Sequence, residues 1–126
     1  SFENSLEKST LKSLKVPMIT IDSFCHENNL EKSVSFIKID VQGYEIPVLK
    51  GMREVLKNNP NAKICLEYDA QMIRTLGFEA SDIFDFFPNY QVYSVTRTEI
   101  KKINLNEQLK DLEKGYIDLL FTVDPL

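Results

Sequence analysis

Two acidic residues and one glycine stand where short apolar runs of the sequence end. Asp40 follows the run 36–39, Glu67 follows the run 64–66, and Gly43 comes three positions after Asp40. Each run is typical of a strand, and the segment between them has the pattern of a helix, which together predict a strand–turn–helix–strand unit. Because the carboxyl ends of parallel strands meet at one edge of a sheet, we expect both carboxylates to point into one crevice.

A pair of carboxylates in a crevice is compatible with several kinds of chemistry. Asp40 and Glu67 could act as general acid and base, hold a metal ion such as the Mg²⁺ of a phosphatase-like site, or bind an ammonium group. No histidine lies near either residue in the sequence, which argues against the metal. The two acids could equally be solvated, with Asp40 capping a turn in which Gly43 adopts a positive φ.

Two further titratable residues have simpler interpretations. Glu45 opens the predicted helix, where a carboxylate is stabilised by the positive end of the helix dipole, so a capping role is expected. The single histidine, His26, is interpreted as a surface or helix-packing residue.

The remaining pattern predicts one α/β domain over residues 1–126, with residues 1–15 as an arm or a weak helix. Strands are predicted over 18–21, 35–40, 62–68, 90–96 and 116–123, and helices over about 24–30, 45–57, 69–76, 82–87 and 106–114. Asp22 or Ser23 is the expected N-cap of the first helix. The second helix has an apolar face made of Val48, Leu49, Met52, Val55 and Leu56. Alternating strands and helices indicate a sheet with helices on its faces, and the short final connection predicts an antiparallel last strand.

Composition narrows the class of protein. The chain has 126 residues, 43% hydrophobic and 27% charged, with a net charge of -4, which argues against a nucleic-acid partner. No apolar run approaches the roughly 20 residues that span a bilayer. The two cysteines, Cys25 and Cys65, lack the spacing of a zinc site and are expected as free thiols in a reducing, cytoplasmic compartment.

Several runs of the sequence resemble the FkbM-type methyltransferase family. They are Thr20-Ile21-Asp22-Ser23-Phe24, Phe36-Ile37-Lys38-Ile39-Asp40-Val41-Gln42-Gly43-Tyr44-Glu45, Val48-Leu49-Lys50-Gly51 and Leu66-Glu67. In that family a "T-L-D" element precedes a "K-I-D-V-E-G-x-E … V-L-K-G" signature. Gln42 stands where the family often has Glu, which is a mild departure.

The resemblance implies a class I, Rossmann-like three-layer sandwich that uses S-adenosylmethionine, usually on a hydroxyl oxygen of a small molecule or a glycan. It implies that strands 35–40 and 62–68 are the parallel fourth and fifth strands, followed by a C-terminal antiparallel strand. Asp40 would lie near the methionine end of the cofactor and the reacting hydroxyl and help to remove its proton, and Gly43 would shape the cofactor-binding turn. Glu67 would line the substrate side.

The glycines depart from the family pattern. Gly43, Gly51, Gly77 and Gly115 are isolated, and no Gly-rich loop is present. We therefore expect the chain to correspond to the C-terminal half of a methyltransferase, inactive alone and a weak binder of S-adenosylmethionine at best. Strand 35–40 would then be an exposed edge that promotes self-association or is covered by the arm. The alternative is a non-catalytic α/β binding or interaction module.

Overall fold

The protein has a mixed α/β fold built on a five-stranded sheet. The computed structural model describes residues 12–126, so most of the predicted arm lies outside the described residues. The strands are β1 (Phe36–Ile39), β2 (Lys63–Asp69), β3 (Gln91–Val95), β4 (Ile100–Lys102) and β5 (Tyr116–Thr122). Their order in the sheet is β1-β2-β5-β3-β4. β1 pairs parallel with β2, whereas β5 lies antiparallel between β2 and β3, and β4 pairs antiparallel with β3.

Short helices connect the strands. The α-helices are α1 (Ile21–Glu27), α2 (Glu45–Lys50), α3 (Arg53–Asn58), α4 (Ala70–Thr75) and α5 (Leu105–Gln108), and 3-10 helices span Ala80–Phe86 and Asp111–Glu113. Of the helices in residues 12–126, none combines the length and the apolar character that crossing a bilayer requires.

The core lies between one face of the sheet and these helices. Alternation along β2 buries Ile64, Leu66 and Tyr68, while Cys65 and Glu67, which point to the opposite face, are only half-buried. The predicted helical face is confirmed at its centre, because the side chains of Leu49, Met52 and Val55 are fully buried. Burial of one such side chain contributes about 2 kcal/mol before entropy, which outweighs the helix propensities of these short segments.

The strand predicted over 18–21 is wrong, and the first helix begins earlier than predicted. Residues 12–20 have no regular secondary structure. The Thr20 hydroxyl accepts a hydrogen bond from the Ser23 backbone N–H at 3.0 Å, so Thr20 is the N-cap and α1 begins at Ile21. Thr20, although β-branched, therefore stabilises the start of α1 through its hydroxyl oxygen and does not form part of a strand.

The helix predicted over 45–57 is interrupted at Gly51 and Met52. The Gly51 carbonyl accepts the Asp22 backbone N–H at 2.9 Å. The Asp22 carboxylate accepts the N–H groups of Glu54 and Val55 at 3.2 and 2.9 Å. Asp22 thus caps α3, a helix far from it in sequence, instead of its own helix. The helix predicted over 106–114 is likewise shorter and divides into α5 and a 3-10 turn.

Replacement of the Asp22 carboxylate tests this long-range cap. Asp22→Ala leaves two N–H groups of α3 without their acceptor, and we expect the free energy of unfolding to fall by about 1–2 kcal/mol. Urea denaturation measures the change. Asp85→Ala, at an exposed position in the 3-10 helix, is the matched control and should leave the midpoint unchanged. An equal effect of both substitutions would contradict the cap.

Candidate functional site

Asp40 and Glu67 lie side by side where β1 ends and β2 continues. Ile39 pairs with Leu66 in the parallel register, so the residues that follow them, Asp40 and Glu67, are neighbours at the carboxyl edge of the two strands. Asp40 is exposed, and Glu67 is half-buried. The structure therefore brings the two sequence-predicted acids together.

Burial and neighbouring carboxylates alter the ionisation of Glu67. Partial burial is the largest cause that raises its pKa above the ordinary value, and the negative charge of Asp40 is the next. Asp118, Glu45 and Asp69 raise the pKa further in the same direction. The carboxyl of Glu67 thus holds its proton more readily than an ordinary glutamate does.

Sequence reasoning missed Asp118. The antiparallel register between β2 and β5 places it directly opposite Glu67. A signal was present, since Asp118 is an acidic residue in the predicted last strand and lies on the face opposite to Ile117 and Leu119. Its partner could not be inferred, because β2 and β5 are far apart in sequence.

A left-handed turn positions Asp40. Gln42 and Gly43 have φ values of 52° and 98°, and the Gln42 side-chain amide donates to Asp40 Oδ1 at 3.0 Å. Gly43 lies against α4, where an added Cβ would come within 2.8 Å of Met72 Cγ and 3.0 Å of the Met72 carbonyl oxygen. The glycine is therefore required both by its φ and by the close approach of α4.

Glu45 is buried beneath this turn. Only 1% of its surface is exposed, and Oε1 accepts the Gly43 backbone N–H at 3.3 Å. Its Oε2 is buried without a hydrogen-bond partner among the described residues. Glu45 stands in the first turn of α2, as expected, but its carboxylate binds an N–H of the preceding turn rather than one of the helix. The burial of a carboxylate at this position was not predicted.

The other candidates lie apart from the acids. His26 Nδ1 pairs with Glu31 Oε1 at 2.9 Å on the surface, as the sequence indicated. Cys25 and Cys65 are free thiols, and burial is the main cause that raises the pKa of Cys65. Within residues 12–126, no three His, Cys, Asp or Glu side chains are grouped so that they could hold a metal ion.

A separate groove of about 820 Å³ lies on the helical side of the molecule, and neither Asp40 nor Glu67 lines it. Its basic residues are Lys50, Arg53 and Lys57, its acidic residues are Asp82 and Asp85, and its apolar lining includes Ile46, Leu56, Phe78, Phe86 and Tyr90. The Arg53 guanidinium lies 5.3 Å from the centre of the Phe86 ring.

Geometry and comparison together define the class of protein. The chain is an α/β protein with paired carboxylates at the carboxyl edge of its parallel strands. Residues 1–95 match the family model described as the methyltransferase FkbM domain. This match covers more than half of the 126 residues, and the chain belongs to the FkbM methyltransferase family. No curated protein and no solved structure matches it.

The close approach at Gly43 can be separated from its backbone conformation. Gly77 has a similar φ of +90°, but an added Cβ there would meet nothing within 4 Å. Gly77→Ala should cost only the left-handed penalty of about 1–2 kcal/mol. Gly43→Ala should cost clearly more, because Met72 must also move. Urea denaturation measures the free energy of unfolding of both variants. Equal decreases would show that Met72 and α4 move aside from the added methyl group at no measurable cost.

The ionisation of Glu67 predicts a pH-dependent stability. Because its folded pKa is raised, the folded chain binds more protons than the unfolded chain between the two pKa values, and the free energy of unfolding falls as pH rises through that window. Glu67→Gln removes the ionisable group and with it this fall in the free energy of unfolding. We expect a higher Tm than the parent at pH 7 and no difference well below the ordinary pKa of 4.5.

Thermal unfolding across this pH range measures the effect. Glu99→Gln, at an exposed position in the β3–β4 turn, is the control and should show no such trend. A gain for Glu67→Gln that is the same at every pH would mean that packing, not charge, is responsible.

Proposed function

We propose that this chain carries the substrate side of an S-adenosylmethionine-dependent methyltransferase that acts on a hydroxyl group of a small molecule or glycan. In this proposal β1 and β2 are the fourth and fifth strands of a Rossmann-like three-layer sandwich, and β5 is its antiparallel last strand. Membership of the family supports the methyl transfer. The observation that carries the site is the adjacency of Asp40 and Glu67 at the strand ends, within the family signature.

The charge of the site fits the cationic end of the cofactor. S-adenosylmethionine carries a sulfonium and an ammonium group, and the carboxylates of Asp40, Glu67 and Asp118 lie at one edge of the sheet. Asp40 and the turn at Gly43 would hold the methionine end, and the bound cofactor would supply an electrophilic methyl group. The glycines of the chain are isolated, so binding of the adenosine end is expected to be weak.

The chain's own residues would position the alcohol and take its proton. Methyl transfer to a hydroxyl needs in-line alignment and a group that accepts the hydroxyl proton. Asp40 is the first candidate for this acceptor, because it is exposed and its carboxylate is oriented by Gln42. Glu67, whose pKa is raised, would line the substrate side.

A second candidate function is that of a non-catalytic binding module, and the groove is the observation that favours it. Its volume of about 820 Å³ falls within the range of roughly 300–1,000 Å³ typical of ligand pockets. The lining combines apolar side chains with basic and acidic ones, which suits a ligand that carries both charges. The groove and the carboxylate edge are separate, so one titration distinguishes the two candidates.

Two-dimensional amide NMR of the chain titrated with S-adenosylmethionine tests the proposal. We expect shifts at residues 40–45 and 67–69 at millimolar ligand, while calorimetry detects no micromolar binding. S-adenosylhomocysteine, which lacks the sulfonium charge, should bind several-fold more weakly because less charge faces the carboxylates. Asp40→Asn should also weaken binding several-fold, whereas Asp85→Asn, in the groove, should have no effect.

Other results of these titrations would contradict either the proposed site or the expected weak binding. Shifts confined to the groove, or no shifts at millimolar ligand, would contradict the methyltransferase site and favour the binding module. Micromolar binding by calorimetry would show that the chain holds the whole cofactor and would overturn the expected half-site.

A further inference from the structure

The groove on the helical side has walls of opposite charge. Lys50, Arg53 and Lys57 lie three and four residues apart on α2 and α3, so they follow one face of these helices and form a basic wall. Asp82 and Asp85 belong to the first 3-10 helix, in which residues three apart are eclipsed, and they form an acidic wall. All of these side chains are exposed, so both walls present their charges to a ligand.

The charges of the two walls do not neutralise each other. Within residues 12–126, no salt bridge joins a basic side chain of the groove to Asp82 or Asp85. The Arg53 guanidinium lies instead 5.3 Å from the centre of the Phe86 ring, which keeps this cation at the groove. The charged atoms of the two walls are therefore farther apart than an ion pair, and each wall can take a ligand group of the opposite sign.

The rest of the lining is largely apolar. Every residue of the lining lies between positions 46 and 123, all of which the structure describes. The aliphatic and aromatic side chains include Ile46, Leu56, Phe78, Tyr90 and Val123. A ligand made of charged groups alone would leave these side chains in water, whereas an alkyl chain would bury them. The groove, at about 820 Å³, therefore suits a ligand with two opposite charges and an apolar part.

We propose that the groove binds a single-chain zwitterionic phospholipid. Its phosphate would contact the basic wall, where the planar fork of the Arg53 guanidinium matches phosphate oxygens and the two lysines add charge. Its ammonium group would contact Asp82 and Asp85, and the aromatic rings of the lining also attract a quaternary ammonium. Its acyl chain would cover the apolar lining. This proposal deepens the second candidate function and does not depend on methyl transfer at the carboxylate edge.

The separation of the ligand's charges favours a phospholipid head over an amino acid. The two charged groups of an α-amino acid are attached to the same carbon atom. In phosphocholine and phosphoethanolamine, two methylene groups separate the phosphate from the ammonium group. The longer spacing suits two walls whose charged atoms do not pair with each other directly.

A single lipid molecule fits the groove better than a membrane surface does. Helices that bind membranes present an apolar face flanked by basic residues. Here the apolar side chains line a groove, one of its walls is acidic, and the chain carries a net charge of -4, which anionic bilayers repel. We therefore assign the groove to monomeric lipid.

Amide NMR with octylphosphocholine, kept below its micelle concentration, tests the site. We expect shifts within residues 50–57 and 78–90 and none at residues 40–45. Phosphocholine without the alkyl chain should bind at least about tenfold more weakly, because burying two methylene groups alone corresponds to about that factor.

Neutralising one wall at a time tests the orientation of the ligand. Octyl phosphate has the same chain but no ammonium group. Asp82→Asn with Asp85→Asn should weaken octylphosphocholine several-fold yet strengthen octyl phosphate, because the two acids repel its charge. Lys50→Gln with Lys57→Gln should weaken both ligands. Opposite changes in the two affinities cannot arise from a variant that is merely unfolded.

A charge-matched control and three contrary results complete the test. Glu99→Gln with Glu107→Gln removes two negative charges at exposed positions outside the groove and should bind both ligands as the parent does. The proposal is overturned by an absence of shifts in the groove, by equal weakening of both ligands in the acidic-wall variant, or by binding to phosphatidylcholine vesicles without binding to monomeric lipid. None of these results alters the expected response of residues 40–45 to S-adenosylmethionine, so failure here is distinguishable from failure of the methyltransferase proposal.

Discussion

The pairing of β2 on both of its edges is the constraint on which the rest of the structure depends. β2 is held by β1 on one side and by β5 on the other, and its register fixes which side chains enter the core. Leu66 and Tyr68 are fully buried, while Glu67, between them, points to the opposite face beside Asp118. A slip of one residue would bury Glu67 and expose its apolar neighbours, so the core itself enforces the position of this carboxylate.

The end of β2 also determines the position of Asp40, through α4. Asp69, the last residue of β2, accepts the backbone N–H of Met72 at 3.0 Å and so caps α4. α4 in turn leaves space only for a glycine at position 43. Glu45 binds the N–H of that glycine from below. The turn that presents Asp40 is therefore held between two pieces of the core, although Asp40 itself is exposed.

Local pattern was sufficient for β1, β2, β3 and β5 and for the adjacency of Asp40 and Glu67, because alternation and strand ends depend on nearby residues. It missed the short strand β4 and predicted a strand over 18–21 that does not form. It failed where distant residues decide the structure. The Asp22 contacts with Gly51 and α3 break a helix that periodicity predicts as continuous. Asp118 joins the acids only through the pairing of β5 with β2. The burial of Glu45 likewise requires the packed turn, which composition does not reveal.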